Sequence, residues 1–148
     1  MDCKLITEGT TLYLPVNVPG ALLSMGDLHA VMGDGEVSGY GAEANGEVTA
    51  RVNVIKNCNI PLPLLVADGK IITLTSCKEL GDAASLAVNN MREFLVNIGM
   101  DLDKAILLLS LVGELRICQI VDPLMTARME FPIEILEKYG LTDNNIFR

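Results

Sequence analysis

The stretch Gly26-Asp27-Leu28-His29-Ala30-Val31-Met32-Gly33-Asp34-Gly35-Glu36 holds the only histidine of the chain together with three carboxylates. In an extended segment side chains repeat every second residue, so Asp27 and His29 project to one face. Gly33-Asp34-Gly35 permits a tight turn that returns Asp34 or Glu36 towards that face. An imidazole with carboxylates on either side matches the ligand set of a catalytic zinc site, with one acid left over as general base. The same residues also suit a satisfied His–Asp pair, an ordinary turn and a solvated charge at a strand start. Spacing alone leaves both readings open.

Other kinds of chemistry find less support. The sequence contains no G-x-S-x-G elbow, no Walker A loop and no H-E-x-x-H helix. Gly33, Gly35 and Gly39 miss the dinucleotide-binding spacing, because Ser38 stands where a glycine is required. Asp101-Leu102-Asp103 lacks the glycine and the terminal glutamate of a calcium loop. Cys3, Cys58, Cys77 and Cys118 are far apart, with no C-x-x-C pair. Cys118 could serve as a thiol nucleophile, although a small core residue on a strand is the more ordinary role.

Composition narrows the partners. Nineteen acidic side chains stand against 11 basic ones, giving a formal charge of −8 with no basic cluster. That balance excludes a nucleic-acid backbone or an anionic membrane as the expected partner and suits a small neutral or cationic ligand. The longest apolar stretch, Ala105 to Val112, falls far short of the ~20 residues that span a bilayer. The first residues carry no apolar leader segment. A soluble, reduced, cytoplasmic protein is expected. With 148 residues, 50% apolar and 20% charged, the chain suits a folded domain rather than a disordered one. The hydrophobic lean suggests that some apolar surface meets another chain or domain.

The elements that must position these residues read as an α+β fold. Residues 1–75 form a β-rich part with sandwich- or barrel-like hairpins, and residues 76–148 a smaller α+β part with two to three helices and a β-hairpin. Leu12, Leu14, Val16 and Val18 alternate with polar neighbours as a strand does, and Pro15 places that strand at an edge. Asn45-Gly46 predicts a hairpin between 36–44 and 47–55, with Val48, Ala50, Val52 and Val54 on one face. Asp68-Gly69 predicts a second, between Leu64–Ala67 and Lys70–Thr75. Asp82 is the expected N-cap of a helix that buries Ala87, Met91, Phe94, Leu95 and Ile98 and stops at Gly99. Asp101 caps the next helix, Leu102 to Leu111, which is apolar nearly all round and so expected between layers. Strands follow at Leu115–Val121 and Thr126–Phe131, joined through Asp122-Pro123. The second alternates Ala127, Met129 and Phe131 against Thr126, Arg128 and Glu130. Pro132 opens a short last helix ending at Tyr139-Gly140.

Longer words of the sequence carry more information. Leu14-Pro15-Val16-Asn17-Val18-Pro19-Gly20-Ala21-Leu22, Gly26-Asp27-Leu28-His29-Ala30 and Gly33-Asp34-Gly35-Glu36-Val37 closely resemble the acetamidase/formamidase family. So do Ile117-Cys118-Gln119-Ile120-Val121-Asp122-Pro123 and Thr126-Ala127-Arg128. The resemblance implies hydrolysis of small linear amides, formamide and acetamide, to the acid and ammonia. It implies β-layers joined to a smaller α+β part, and an associated divalent metal, zinc first and calcium second. The family's polar motif falls on Asp27, His29, Asp34 and Glu36. On that reading Asp27 and His29 hold the metal and Glu36 is the general base, while Asp34 orients it or completes the metal shell. Met32 and Ser38 stand where many members carry Gln and Cys, which bears on substrate preference. Members are roughly twice this long, and Met1-Asp2 resembles the end of an internal Gly-Gly-Asn-Met-Asp motif. The resemblance therefore implies a C-terminal half, whose N-terminal half would bring further strands and an upstream His/Asp motif. The expected partners are a small amide and either a second copy or that missing half. The alternatives are a thiol-based amidase using Cys118, and a non-catalytic fragment acting as a binding or assembly partner.

Overall fold

The computed structural model describes residues 2–57, 61 and 63–140. The register of the main sheet starts at Asp68-Gly69, whose φ angles of 50° and 69° are those a two-residue primed turn demands. This turn joins β4 (Leu64–Ala67) to β5 (Lys70–Cys77), with Ala67 opposite Lys70. On its far side β5 pairs with β7 (Met125–Pro132), which pairs in turn with β6 (Glu114–Gln119). The short β1 (Thr11–Tyr13) lies on β4, giving an antiparallel five-stranded sheet in the order β1-β4-β5-β7-β6. The sheet takes strands from both sides of residue 76, and β5 crosses it. A separate two-stranded ladder is formed by β2 (His29–Val31) and β3 (Ala42–Glu43).

The two faces of the sheet bury different groups. Leu64, Ile71, Met129 and Phe131 pack beneath α1 (Leu80–Asn97) through Ala87, Met91, Phe94 and Leu95, with Ala105 and Leu109 of α2 (Leu102–Val112) and Leu136 of α3 (Ile133–Glu137). Thr73 and Thr75 also face α1, and their hydroxyls donate to the carbonyls of Ala87 at 2.7 Å and Ala83 at 2.6 Å. Two β-branched polar residues are thus satisfied inside an apolar layer. The opposite face carries Leu12, Leu65, Ala67, Ile72, Leu74 and Cys118, with Cys3 and Leu5 packed against it. The architecture is α+β, as expected.

Several local expectations hold. Gly99 ends α1 with φ 98°, Asp101 caps α2 by accepting from the Lys104 amide at 3.1 Å, and Pro132 precedes α3. Others need correction. No hairpin forms at Asn45-Gly46: neither residue has positive φ, and residues 47–55 contain no strand. The segment before that dipeptide is paired elsewhere, His29 opposite Glu43 and the Ala44 amide on the Leu28 carbonyl, while Val48, Val52 and Val54 are exposed. The first strand stops at Tyr13, before Pro15, and Leu14, Val16 and Val18 are exposed; its edge position stands. Glu79 rather than Asp82 precedes α1, and Asp82 lies in its first turn, where a carboxylate favours the helix dipole. Helix α2 is not enclosed between layers: Leu102, Ile106, Leu107 and Leu111 face outwards. Strand β7 lacks a solvent face, so Arg128 and Glu130 are buried along with their apolar neighbours.

Gly113 links α2 directly to β6, and it is required for space rather than for φ. A Cβ there would lie 2.6 Å from the Leu109 carbonyl oxygen and against Met129 Cε. Gly113→Ala is expected to destabilise the fold by about 2 kcal/mol, as overpacking of a tight junction does. A lowered urea midpoint with unchanged slope would show it.

Candidate active site

The site is built on the small ladder. Pairing of β2 with β3 sets His29 opposite Glu43, and an irregularity in the ladder follows at once, between His29 and Val31. Gly41 lies against the imidazole: a Cβ at that position would come 2.6 Å from His29 Nδ1 and 3.0 Å from the Val31 carbonyl oxygen. Only a glycine lets the chain pass there. His29 Nε2 lies 3.1 Å from Glu43 Oε1 and 3.3 Å from Asp27 Oδ1, and Nδ1 faces Glu36 Oε1 at 3.8 Å. The His29 and Glu36 side chains are 11% and 6% exposed, whereas Asp27 and Glu43 are open to solvent. Asp27 and Glu36 both take left-handed backbone conformations, φ 62° and 44°. Each costs on the order of 1 kcal/mol in a residue other than glycine, so the surrounding contacts must hold them there.

These groups line an open cleft of about 200 Å³, together with Asp2, Tyr40 and Asp122. Asp122 hydrogen-bonds to Asp2, and that bond, helped by burial, raises its carboxyl above the usual Asp range. Burial opposes ionisation of Asp2, but the same bond carries its pKa below the ordinary value.

Asp34 is positioned elsewhere. Its two carboxylate oxygens accept from Arg128, Nη1 at 2.7 Å and Nη2 at 2.9 Å, and Lys4 Nζ lies 3.1 Å from Oδ2. Partial burial opposes its charge, yet the bonds from Arg128 and Lys4 prevail and hold the Asp34 carboxyl below the usual range. Arg128 also donates through Nε to Glu130 at 2.7 Å and through Nη1 to the Ile117 carbonyl at 2.9 Å. The next residue is stitched to the same strand: the Gly35 amide donates to the Cys118 carbonyl at 2.9 Å, and the Ile120 amide donates to Gly35 at 3.1 Å. The glycine turn thus fastens Glu36 to the sheet, and Glu36, not Asp34, is the carboxylate that returns to His29.

Of the four residues singled out from the sequence, Asp27, His29 and Glu36 come together, and Asp34 acts on the turn between them. Glu43 was missed. Its signal would have been the pairing of 42–43 with His29, which the Asn45-Gly46 dipeptide disguised by suggesting a different partner. Arg128 was missed as well, because nothing local marks a partner 94 residues from Asp34. Cys118 is buried outside the cleft, and its bond to Cys3 and its burial push the thiol pKa well up, which disfavours a nucleophilic role. Asp27, His29 and Glu43 each offer one donor atom, all within 4.8 Å of one another. Two carboxylate oxygens and an imidazole nitrogen suit zinc or another divalent ion.

The model of the Acetamidase/Formamidase family matches residues 1–138. The fold is similar to the crystal structure of an acetamidase from Bacillus halodurans, with a TM-score of 0.91 and 48% identity over 95% of this chain and 48% of that one. It is equally similar to a predicted acetamidase/formamidase from Thermoanaerobacter tengcongensis, TM-score 0.91 and 43% identity over 96% of this chain and 48% of that one. An acetamidase of Mycolicibacterium smegmatis is 46% identical over 56 residues, 37% of this chain and 14% of that protein. The chain spans about half the length of the solved structures it matches.

The Asp34–Arg128 pair is expected to matter for stability and for its pH dependence. Asp34→Asn removes the charge that faces a buried guanidinium and should cost about 2 kcal/mol at neutral pH. Because the folded pKa of Asp34 lies below its unfolded value of ~3.9, its contribution is present above that value and lost as pH falls through the lower one. Urea unfolding at pH 7 and at pH 3 should show a smaller acid loss in Asp34→Asn than in the parent chain.

Proposed function

The chain belongs to the acetamidase/formamidase family, and from that premise we propose that it carries the amide-hydrolysing site of an enzyme acting on short linear amides such as formamide and acetamide. The observation that carries this reading is the meeting of His29 with Asp27, Glu36 and Glu43 in one cleft. Asp27, His29 and Glu43 would hold a divalent ion, zinc in first place and calcium in second. When bound, such an ion supplies Lewis acidity, which polarises a carbonyl and makes water a better nucleophile at neutral pH.

The remaining work falls to the side chains. An amide resists hydrolysis because resonance lowers the electrophilicity of its carbonyl and makes the amine a poor leaving group. Glu36, buried and beside His29, takes the proton of the attacking water on its carboxylate and returns it to the departing nitrogen as ammonia forms. Facing Nδ1, it also orients the imidazole whose Nε2 points to the other two carboxylates. Asp34 contributes by position, since its bond to Arg128 holds the turn on which Glu36 stands.

The complete enzyme includes more polypeptide than this chain, either a second copy or the rest of a longer family member. The exposed apolar run from Leu14 to Met25 and the outer face of α2 support that reading, because surfaces of this size seldom stay wet on a monomer. The same surfaces favour a second reading, a non-catalytic assembly partner, which the intact acid–histidine cluster opposes.

Two measurements test the proposal. A family protein containing this chain should release ammonia from formamide or acetamide, lose that activity to a chelator and recover it with zinc. Glu36→Gln should lower kcat by about 100-fold or more with folding intact; unchanged activity would remove Glu36 from its role. The isolated 16.0 kDa chain should sediment as an associated species at low micromolar concentration. A clean monomer would defeat the association, and zinc-dependent hydrolysis by that monomer would make the cleft complete by itself.

A further inference from the structure

Strand β6 is an edge of the main sheet, and from Glu114 to Ile117 its outer side pairs with no strand among the described residues. Its far end is taken: the Cys118 carbonyl accepts the Gly35 amide and so points away from β7. Peptide groups alternate in direction along a strand, so Arg116 and Glu114 also turn theirs to the free edge. The side chains alternate as well. Leu115 and Ile117 stand opposite Met129 and Ala127, on the face that α1 covers, yet they are 50% and 40% exposed. Glu114 and Arg116 lie on the other face, opposite Glu130 and Arg128, so each meets its own charge across the ladder. Unpaired amides and carbonyls beside exposed apolar side chains form a template for another strand.

We propose that β6 is the contact through which two copies of this chain associate, the strands running antiparallel about a two-fold axis at Leu115 and joining the two sheets into one. Opposite residues must share a face, so the pleat admits only registers centred on a residue. Centring on Glu114 or Arg116 sets that charge against its own copy, and centring on Arg116 also needs the edge at Cys118 that Gly35 occupies. Centring on Leu115 sets Glu114 of each copy opposite Arg116 of the other, with their outward peptide groups in place to exchange hydrogen bonds. Opposite charges facing across strands stabilise a pairing that like charges disrupt. Arg116, held to Glu114 of its own strand at 3.0 Å, gains a second carboxylate. Leu115 meets its own copy, and Ile117 meets Gly113, which has no side chain to obstruct it. The surface is thus self-complementary, as a two-fold contact requires. The contact presupposes the association proposed above and is independent of the amide chemistry.

The test is a pair of single cysteines on the exposed edge, in the chain at low micromolar concentration under mild oxidation. Across the axis position 115 forms a non-hydrogen-bonded pair with itself, whose Cβ atoms are close enough for a disulfide. Leu115→Cys should therefore give a linked dimer about tenfold faster, or more, than Ile117→Cys, whose thiol would face Gly113. The unsubstituted chain sets the background from its own thiols. Arg116→Glu, which sets carboxylate against carboxylate, should weaken dimerisation in sedimentation by about tenfold or more. A dimer in which the two cysteines link at equal rates, or neither links, would overturn the proposal, as would a dimer indifferent to Arg116→Glu. A monomer would defeat it together with the association, leaving amide hydrolysis to be judged by ammonia release. The cross-linking comparison decides the matter even if Arg116→Glu fails to fold.

Discussion

A guanidinium in the middle of a sheet has to be matched by negative charge, and Arg128 is matched from two directions. Glu130, two residues along the same strand, takes Nε, and Asp34 takes both terminal nitrogens. Leaving such a cation without its partners costs several kcal/mol, so the pairing fixes where the glycine turn can lie. Lys70 bridges Glu130 and Glu114 at 2.7 and 2.9 Å, extending the ionic chain across β5, β7 and β6. The bonds that Lys70 donates to these two carboxylates raise its pKa, with burial acting against them, so the lysine keeps its charge. The most regular part of the molecule thereby holds one of its least regular segments.

The consequence reaches the cleft through backbone rather than through side chains. Once Asp34 is fixed and Gly35 is bridged to Gln119, Glu36 has little freedom except its left-handed conformation, with its carboxylate directed at His29. Gly41 also lies against the ring at Nδ1. Three carboxylates gather around one imidazole, and a bound cation would offset their negative charge. The cleft is therefore compatible with a bound metal ion, Asp27 and Glu43 being open to solvent.

The apolar surface has a different origin. One sheet face is fully covered by α1, with α2 and α3 contributing, whereas the segment from Leu14 to Met25 and residues 47–55 have no layer above them among the described residues. Sequences of this kind are patterned for burial, and the side that faces solvent here marks where further polypeptide fits in the proposed assembly. The matched solved structures, of which the chain covers 48%, are long enough to supply it.

Local chemistry was enough to read the Asp68-Gly69 turn, the Asp101 cap and the Gly99 stop. Each depends on residues within about one turn or one hairpin of each other, so the sequence carries the whole cause. The family itself was also legible, because its motifs are long and contiguous. Tertiary structure decided what depends on distant partners. It paired Glu43 with His29 and cancelled the Asn45-Gly46 hairpin, since a strand forms only where another strand accepts its hydrogen bonds. It turned the polar alternation of β7 inwards, because Asp34 and Lys70 arrive to neutralise Arg128 and Glu130. It also brought Cys3 and Cys118 into one buried cluster. Sequence spacing sets which groups can meet along a local segment; long-range charge pairing and sheet order set which of them do.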